Sequence, residues 1–288
     1  MNHDLCIVGH ITKDLNTTPA GKKEMVGGAG FYFSVALKSL NCNFILVTKL
    51  AQSDRYLLDD LQGLEMKVFD SPQTHHFENI YSDFSNNREQ RVHSLADSFN
   101  QAEVADIGAR YFHFGPLSNT DIPIELIKQL QKQGNVSLDA QGYLRQITNE
   151  KVSPVRWGQM EEALCHVDIL KVNDFEAETM AGTKDMRKAA QALSEFGIKE
   201  VVITMGDRNS LIYADEKFHE IPSYKPQQII DATGCGDTYM AGYLFKRSQG
   251  NSIESSGKFG AAMATIKMEG FGPFRGTEEE VIKLIRNP

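Results

Sequence analysis

The stretch 230-IDATGCGDTYMAGYLF-245 decides the fold of this chain, because its pattern predicts the end of a strand, then a glycine turn and then a helix. Gly234 and Gly236 permit backbone angles that other residues resist, and they let another molecule approach the backbone closely. The apolar residues that follow recur at helical spacing, so a helix is predicted to begin at the turn. The free N–H groups and the positive dipole end of such a helix face the glycines, and this arrangement binds anions, most often phosphate.

Asp237 follows directly after the glycines, where a carboxylate would repel a bound phosphate. The conflict disappears if Asp237 takes the proton from a hydroxyl that attacks the phosphate, because a base beside an anion site is the minimum apparatus for phosphoryl transfer to an alcohol. The alternative, that Asp237 only caps its helix, stays open at this point. The chain has no GxxxxGK[ST] and no GxGxxG after a strand, so neither a P-loop nor a nicotinamide dinucleotide fold is supported.

The rest of the chain alternates short apolar runs with longer amphipathic stretches. The runs predicted as buried strands are 5-LCIVG-9, 44-FILVTKL-50, 111-YFHFG-115, 136-VSLD-139, 168-DILKV-172 and 201-VVITM-205. The clearest predicted helices are 122-IPIELIKQLQKQG-134 and 186-MRKAAQALSEFG-197. This alternation is typical of βαβ units, so the predicted fold class is α/β, with a mostly parallel central sheet and helices on both faces.

The composition of the chain disfavours several classes of function. The chain has 288 residues and a formal net charge of −8 without a lysine- or arginine-rich run, which disfavours a nucleic-acid partner. Its four cysteines form no CxxC pair and have no histidines at zinc-ligand spacing. No apolar run approaches the ~18 residues of a membrane span. We therefore expect a cytoplasmic protein with reduced cysteines and no membrane contact.

One region interrupts the βα rhythm. Residues 74–97 read THHFENIYSDFSNNREQRVHSLAD, in which polar and aromatic residues mix irregularly and Ser85-Asn86-Asn87 resembles a hairpin tip. Together with 10-HITKDLNT-17, this region predicts a small, partly exposed sheet beside the main domain.

The glycine turn resembles the C-terminal signature of the ribokinase-like (PfkB) family of sugar and nucleoside kinases, Asp-Thr-Thr-Gly-Ala-Gly-Asp. The matching residues here are Asp231-Ala232-Thr233-Gly234-Cys235-Gly236-Asp237. Further matches follow in the family's order across nearly the whole chain: Asp14 in 9-GHITKDL-15, Gly27-Gly28 before a helix, Asn173-Asp174-Phe175-Glu176, Thr204-Met205-Gly206 and Gly260-Ala261-Ala262. Each match is weak alone, whereas five in order around one strong signature are specific.

The resemblance implies a role for each matching residue. Asp237 is the catalytic base, and the amides of Gly234, Cys235 and Gly236 stabilise the transferring phosphoryl group. Substrate binds Asp14 and the backbone of Gly27 and Gly28. The implied cofactor-binding residues are Asn173, Glu176, Thr204, Gly206 and Ala262. Asn173 and Glu176 also fit a helix N-cap and its capping-box partner, and that alternative stays open.

The resemblance also implies ATP and Mg²⁺ as cofactors. No protein-built metal site is expected, because Mg²⁺ would arrive with ATP and be held through water near Asn173 and Glu176. In relatives a monovalent cation, K⁺, binds in this region, which places it here near Asp231, Thr233 and the loop 269-EGFG-272.

The chain departs from the family pattern at several positions. Cys235 replaces an alanine and Ala232 a threonine, while Tyr32 stands where ribokinase carries an asparagine, so ribose is not the expected substrate. The stretch 138-LDAQGYLR-145 resembles a segment of an inositol- and nucleoside-kinase-like branch. Gln141 and Arg145 are therefore predicted to reach the substrate, and a surface arginine is the alternative.

The irregular region also fits the family, in which a small β-sheet forms a lid. Residues 11–26 with about 73–104 match that lid within a single kinase domain spanning 1–288. In several members two lids pair, so a homodimer through the lid is expected. Phe77, Tyr81 and Phe84 either serve that contact or pack the lid on its own body.

The sequence thus predicts an ATP-dependent kinase that phosphorylates a hydroxyl of a small sugar, polyol or nucleoside. The alternative is a non-catalytic ligand sensor that kept the fold and lost turnover, against which the intact Asp237 argues. An oxidoreductase on a related sheet is a weaker third hypothesis.

Overall fold

The main sheet has nine strands, in a computed structural model that describes residues 2–18, 21–81 and 88–287. Its strands are β1 (His3–Val8), β4 (Phe44–Leu50), β5 (Glu65–Asp70), β8 (Ala109–Phe114), β9 (Asn135–Asp139), β12 (Ile169–Asn173), β13 (Glu200–Thr204), β14 (Ser210–Ala214) and β15 (Lys217–Ile221). The strands numbered between these form a second sheet. The order is β15-β14-β13-β12-β9-β8-β1-β4-β5, and the strands pair in parallel except at β14 and β15. All six apolar runs predicted as strands occur in this sheet. The strand predicted to end just before Asp231 does not form, because the chain from 222 to 234 has no strand and reaches the glycine turn as a loop after β15.

Helices cover both faces of the main sheet, as the α/β prediction requires. They are α1 (Ala29–Ser39), α2 (Ile124–Gln131), α3 (Met160–Leu164), α4 (Asp174–Ala181), α5 (Met186–Ser194), α6 (Cys235–Ser248), α7 (Ile253–Met268) and α8 (Glu278–Arg286). One buried apolar cluster joins the sheet to α2–α5, and another joins it to α1 and α6–α8. Because both faces are covered, strands such as β4 are buried along their whole length and read as continuous apolar runs. No described helix is long and apolar enough to cross a membrane.

The second sheet has six strands: β2 (Thr12–Thr18), β3 (Gly21–Gly27), β6 (His75–Tyr81), β7 (Arg88–Ser94), β10 (Arg145–Thr148) and β11 (Lys151–Pro154). Their order is β10-β11-β7-β6-β2-β3, with only β2 and β6 pairing in parallel. The hairpin β10–β11 was not predicted. Asn149 and Glu150 form its turn in left-handed conformations, and the hydrophobic period of its short strands is too brief to detect.

The second sheet also differs from the predicted lid at one boundary. Its strand β7 ends at Ser94, and beyond it Phe99 and Val104 belong to the core of the main sheet, although the predicted lid extends to about residue 104. Phe77 is buried, as expected if it packs within its own chain. The predicted hairpin tip at 85–87, Phe84 and the side chain of Tyr81 lie outside the described residues.

A buried polar cluster joins the two sheets. The rings of His10 and His75 stack with centroids 4.1 Å apart, and His75 Nε2 lies 3.2 Å from an oxygen of Asp121. Because His75 Nδ1 accepts the amide of Ala96 at 2.8 Å, Nε2 carries the proton and donates to Asp121. Burial opposes ionisation of Asp121, but the two histidines hold its pKa well below its usual range. The three side chains are close enough to hold a metal ion. However, the atoms of His75 and Asp121 that would bind it already take part in these hydrogen bonds.

The N-terminal ends of α1 and α6 meet at one glycine. Gly234 precedes α6 with φ 75° and ψ 10°, a left-handed conformation that other residues rarely adopt. A Cβ added to Gly234 would lie 2.2 Å from the ring of Tyr32 on α1. Only glycine therefore allows the two helix ends to approach this closely.

Replacing Gly234 by alanine should lower the free energy of unfolding by about 2–4 kcal/mol, from left-handed backbone strain plus overpacking against Tyr32. Gly250 is the matched control, because its φ is 80° but a Cβ there meets no atom within 4 Å. Gly250→Ala should cost only about 1–2 kcal/mol of backbone strain. Chemical denaturation measures both variants, and equal losses would contradict the close contact at Gly234.

Candidate functional site

The predicted anion turn has the expected geometry. Gly234 occupies the N-cap position of α6, so Cys235, Gly236 and Asp237 form its first turn. In the described structure α6 begins without a side-chain cap hydrogen bond, so Asp237 does not act as the cap. First-turn N–H groups have no acceptor within the helix and are available to an anion.

Asp237 is half-buried and carries an altered pKa. Burial raises the pKa of its carboxyl from 3.8 to about 7, and the charge of Asp139 adds to the rise, while Lys171 and Arg145 oppose it. A carboxyl with this pKa can both accept and release a proton near neutral pH, as a general base requires.

Lys171 is a residue of the site that sequence reasoning missed. Its buried Nζ lies 2.8 Å from Asp139 Oδ2, and a Cβ on Gly236 would come within 3.0 Å of it, so the ammonium adjoins the anion turn. Burial lowers the pKa of Lys171, but the charges of Asp139, Glu176 and Asp237 outweigh burial and raise it, so Lys171 is protonated. The available signal was a lysine within the apolar strand sequence 168-DILKV-172.

Asn173 and Glu176 form a capping box at the start of α4. Asn173 Oδ1 accepts the amide of Glu176 at 2.9 Å, and the amide of Asn173 donates to Glu176 Oε2 at 2.7 Å. The structural alternative is therefore present, but the pair also borders the charged cluster. Burial raises the pKa of Glu176, Asp139 raises it further, and Lys171 and Arg145 oppose the rise.

The predicted substrate residues lie where β2 and β3 meet α1. Asp14 is buried and its Oδ1 accepts a 2.6 Å hydrogen bond from the hydroxyl of Thr12. A Cβ on Gly27 would lie 2.2 Å from Asp14 Oδ2, so only glycine fits beside this carboxylate. Gly28 precedes α1 with φ 90°, a positive φ that favours glycine.

Tyr32 connects the substrate residues to the anion turn. It is 1% exposed, and its hydroxyl has no hydrogen-bond partner among the described residues. Burial raises the pKa of Tyr32, and the charges of Asp231, Asp14 and Asp237 raise it further. Because Tyr32 lies on α1, which begins after Gly28, and its ring packs against Gly234, it connects the predicted substrate residues to the anion turn.

Of the remaining predicted residues, four have exposed surface and Ala262 has none. Gln141 and Arg145 are half-buried, and the charge of Arg145 acts on both Asp237 and Glu176. Thr204 is half-buried at the end of β13, and Gly206 follows with φ 63°. Ala262 was predicted to contact the cofactor, but it is fully buried in the α7 core and has no exposed surface for a nucleotide. A small-residue motif cannot reveal which of its members faces the core.

The expected monovalent cation position near Asp231 is filled by a side chain. Lys267 Nζ lies 3.0 Å from Asp231 Oδ2 and 2.6 Å from the backbone oxygen of Asp231. The carboxylate also accepts the amides of Thr233 at 2.9 Å and of Gly272 at 3.2 Å. The loop containing Gly272 thus meets Asp231 as expected, but the residues present do not fit a free cation.

The chain is similar to known kinases over nearly its whole length. A cytidine kinase from Thermococcus kodakarensis is 27% identical over 93% of this chain and 97% of its own. A pyrophosphate-dependent kinase of the ribokinase family, solved with sulfate, is 30% identical with a TM-score of 0.84 over 97% of this chain and 99% of its own. Such a kinase complexed with a pyrophosphate analogue and myo-inositol is also 30% identical, with a TM-score of 0.83 over the same shares of both chains.

The profile of the pfkB family carbohydrate kinases matches residues 3–279. Together these likenesses confirm the predicted ribokinase-like fold and the predicted class of enzyme, a carbohydrate or nucleoside kinase. The chain belongs to the pfkB family of carbohydrate kinases.

Proposed function

We propose that this kinase transfers the γ-phosphoryl group of ATP to a hydroxyl of a small neutral polyol, with an inositol or a nucleoside ahead of ribose. The observation that carries the proposal is Asp237, a carboxyl with a pKa of about 7 in the uncapped first turn of α6 and beside the ammonium of Lys171. A base, an anion turn and a fixed positive charge are what phosphoryl transfer to an alcohol requires.

Each residue of the proposed site has a role that follows from its position. Asp14 and the backbone at Gly28 orient the acceptor, and Asp237 takes the proton from the hydroxyl that becomes the nucleophile. The N–H groups at the start of α6 and the Lys171 ammonium stabilise negative charge in the transition state. When bound, ATP supplies the phosphoryl group, and Mg²⁺, held near Asn173 and Glu176 through water, neutralises its oxygens.

Exposed apolar side chains favour ATP as the donor, although two solved relatives use pyrophosphate. Among the described residues, the exposed large apolar side chains are Tyr56, Phe175, Ile229 and Phe271. Phe175 lies between Asn173 and Glu176, Ile229 just precedes Asp231, and Phe271 adjoins the loop at Gly272. An adenine ring would cover such side chains, whereas pyrophosphate has no apolar part.

The substrate preference rests on Tyr32. Its buried ring occupies the position where ribokinase carries an amide, which removes a partner for a sugar hydroxyl. The cytidine kinase and the kinase complexed with myo-inositol are in keeping with a nucleoside or an inositol as acceptor.

The second sheet is proposed to act as a lid that excludes water from the site. In support, Lys23 of β3 lies 4.9 Å from the ring centroid of Phe271 in the loop beside Asp231. The homodimer through this sheet and the cytoplasmic location remain predictions. The four cysteines are free, as a reducing compartment requires.

A screen of donors and acceptors tests the function. We expect turnover with MgATP and an inositol or nucleoside, and a lower kcat/KM for ribose and for pyrophosphate as donor. The measurement is product formation over pentoses, hexoses, inositols and nucleosides with each donor. A ribose kcat/KM above every inositol and nucleoside would overturn the acceptor preference. Nucleotide binding without turnover on any acceptor would favour the sensor.

Asp237→Asn should abolish turnover while nucleotide affinity holds or tightens. The amide cannot accept the substrate proton, and a positioned base is worth ~10²–10⁴ in rate. Because the folded-state pKa of Asp237 lies above its unfolded value, ionising it costs stability between pH of about 4 and 7, so the variant should be no less stable than wild type at pH 8.

Asp185→Asn is the matched control for the capping alternative, since Asp185 is a true N-cap that accepts the amides of Arg187 and Lys188. Its turnover should stay near wild type. If Asp237→Asn keeps more than about a tenth of wild-type kcat, Asp237 is not the base.

Acceptor kcat/KM should fall as the pH drops through about 7, because Asp237 must be ionised to act as the base. Asp139→Asn removes a negative charge that raises the pKa of Asp237 and leaves Lys171 less neutralised, so the acid limb should move to lower pH. The pH profiles of wild type and Asp139→Asn give the measurement. An unmoved or alkaline-shifted limb would assign the titration to another group.

A further inference from the structure

Lys267 occupies the position near Asp231 where the family resemblance implies a bound monovalent cation. We propose that the ammonium of Lys267 is a built-in cation that holds Asp231 and the anion turn in place, so that this kinase needs no free monovalent cation there. The proposal concerns the same site as the proposed kinase activity and rests on that activity for its rate measurements.

The Lys267 ammonium is buried and has favourable partners for its charge. Lys267 is 2% exposed, and its Nζ lies 2.6 Å from the backbone oxygen and 3.0 Å from Oδ2 of Asp231. It also lies 5.7 Å from the ring centroid of Tyr32, within the range of a cation–π contact. The Asp231 carboxylate and the Tyr32 ring thus offset the cost of burying the positive charge of Lys267.

A second cation has no place beside this ammonium. It would have to share the two Asp231 oxygens that Lys267 already contacts, and two positive charges a few ångströms apart repel strongly in a partly buried site. Asp231 has no unsatisfied negative charge to offer. Its Oδ1 accepts the amide of Thr233, and its Oδ2 accepts both Lys267 and the amide of Gly272.

Lys267 also helps to hold the glycine turn against the end of α7. Asp231 precedes the turn at Gly234. The backbone amides of Ile230 and Asp231 both donate to the backbone oxygen of Met268, the residue after Lys267 at the end of α7. Burial raises the pKa of the Asp231 carboxyl, but the Thr233 and Lys267 contacts outweigh burial and lower it, so this carboxyl stays ionised at neutral pH. A tethered cation preserves this geometry at any salt composition, whereas a free ion must be bound from solution.

Wild type and Lys267→Met should be compared in K⁺, Na⁺ and tetramethylammonium chloride at equal ionic strength, with the nucleotide as its tetramethylammonium salt. The wild-type rate should agree within about twofold in all three salts. Lys267→Met removes the ammonium and should lose about tenfold or more in tetramethylammonium. Added K⁺ should restore part of that rate saturably, because a free ion can then occupy the vacated charge site.

Thermal unfolding gives a readout that needs no acceptor, so failure of the kinase proposal and failure of this one are distinguishable. The Tm of Lys267→Met should rise with K⁺ relative to tetramethylammonium, and the wild-type Tm should not. Lys246→Met is the matched control, since Lys246 on α6 pairs with Glu278 and lies 5.1 Å from the ring centroid of Phe245, far along the helix from the turn. Its rate and Tm should show no preference among the three cations.

Two results would overturn the proposal. The first is saturable activation of wild type by K⁺, or a K⁺-specific rise in the wild-type Tm. The second is a folded Lys267→Met whose rate and Tm match wild type in tetramethylammonium. If Lys267→Met does not fold, the wild-type rates and Tm values alone decide the question.

Discussion

Two buried ammonium groups flank the glycine turn, and the rest of the site depends on how their charges are paired. Lys171 adjoins Gly236 and pairs with Asp139, while Lys267 pairs with Asp231 at the entrance of the turn. An unpaired buried charge is costly, and each lysine meets this cost with a carboxylate held by backbone amides. The turn therefore sits between two neutral ion pairs within a chain of net charge −8.

The glycines make this arrangement possible by removing side chains where charged or aromatic groups approach. At Gly236 a Cβ would approach the Lys171 ammonium, and at Gly234 it would overlap the ring of Tyr32. The same turn also frees the first N–H groups of α6. One short motif thus sets the packing of α1 on α6 and forms the turn that we propose receives phosphate.

The sequence predicted what depends on local pattern. Strands such as β4, buried along their whole length, appear as continuous apolar runs, and the turn from Gly234 to Asp237 carries its own backbone requirement. The features that escaped prediction depend on tertiary contacts. Lys171 and Lys267 look like ordinary lysines until the fold pairs them with distant carboxylates, and the hairpin β10–β11 is too short and polar to show a period.

The pairing of Lys171 also explains why the pKa of Asp237 suits the base that we propose it to be. An unpaired lysine beside Asp237 would favour the carboxylate and pull its pKa down, which would leave a weak base. Asp139 offsets that charge, so burial dominates and the pKa of Asp237 rises to about 7. Because Asp139 offsets part of the Lys171 charge, the proposed phosphate site offers the N–H groups and dipole of α6 together with one partly neutralised ammonium. A polyphosphate donor would also meet the Asp237 carboxylate, so we expect the proposed site to bind a donor whose charge is already reduced by a divalent cation better than the free donor.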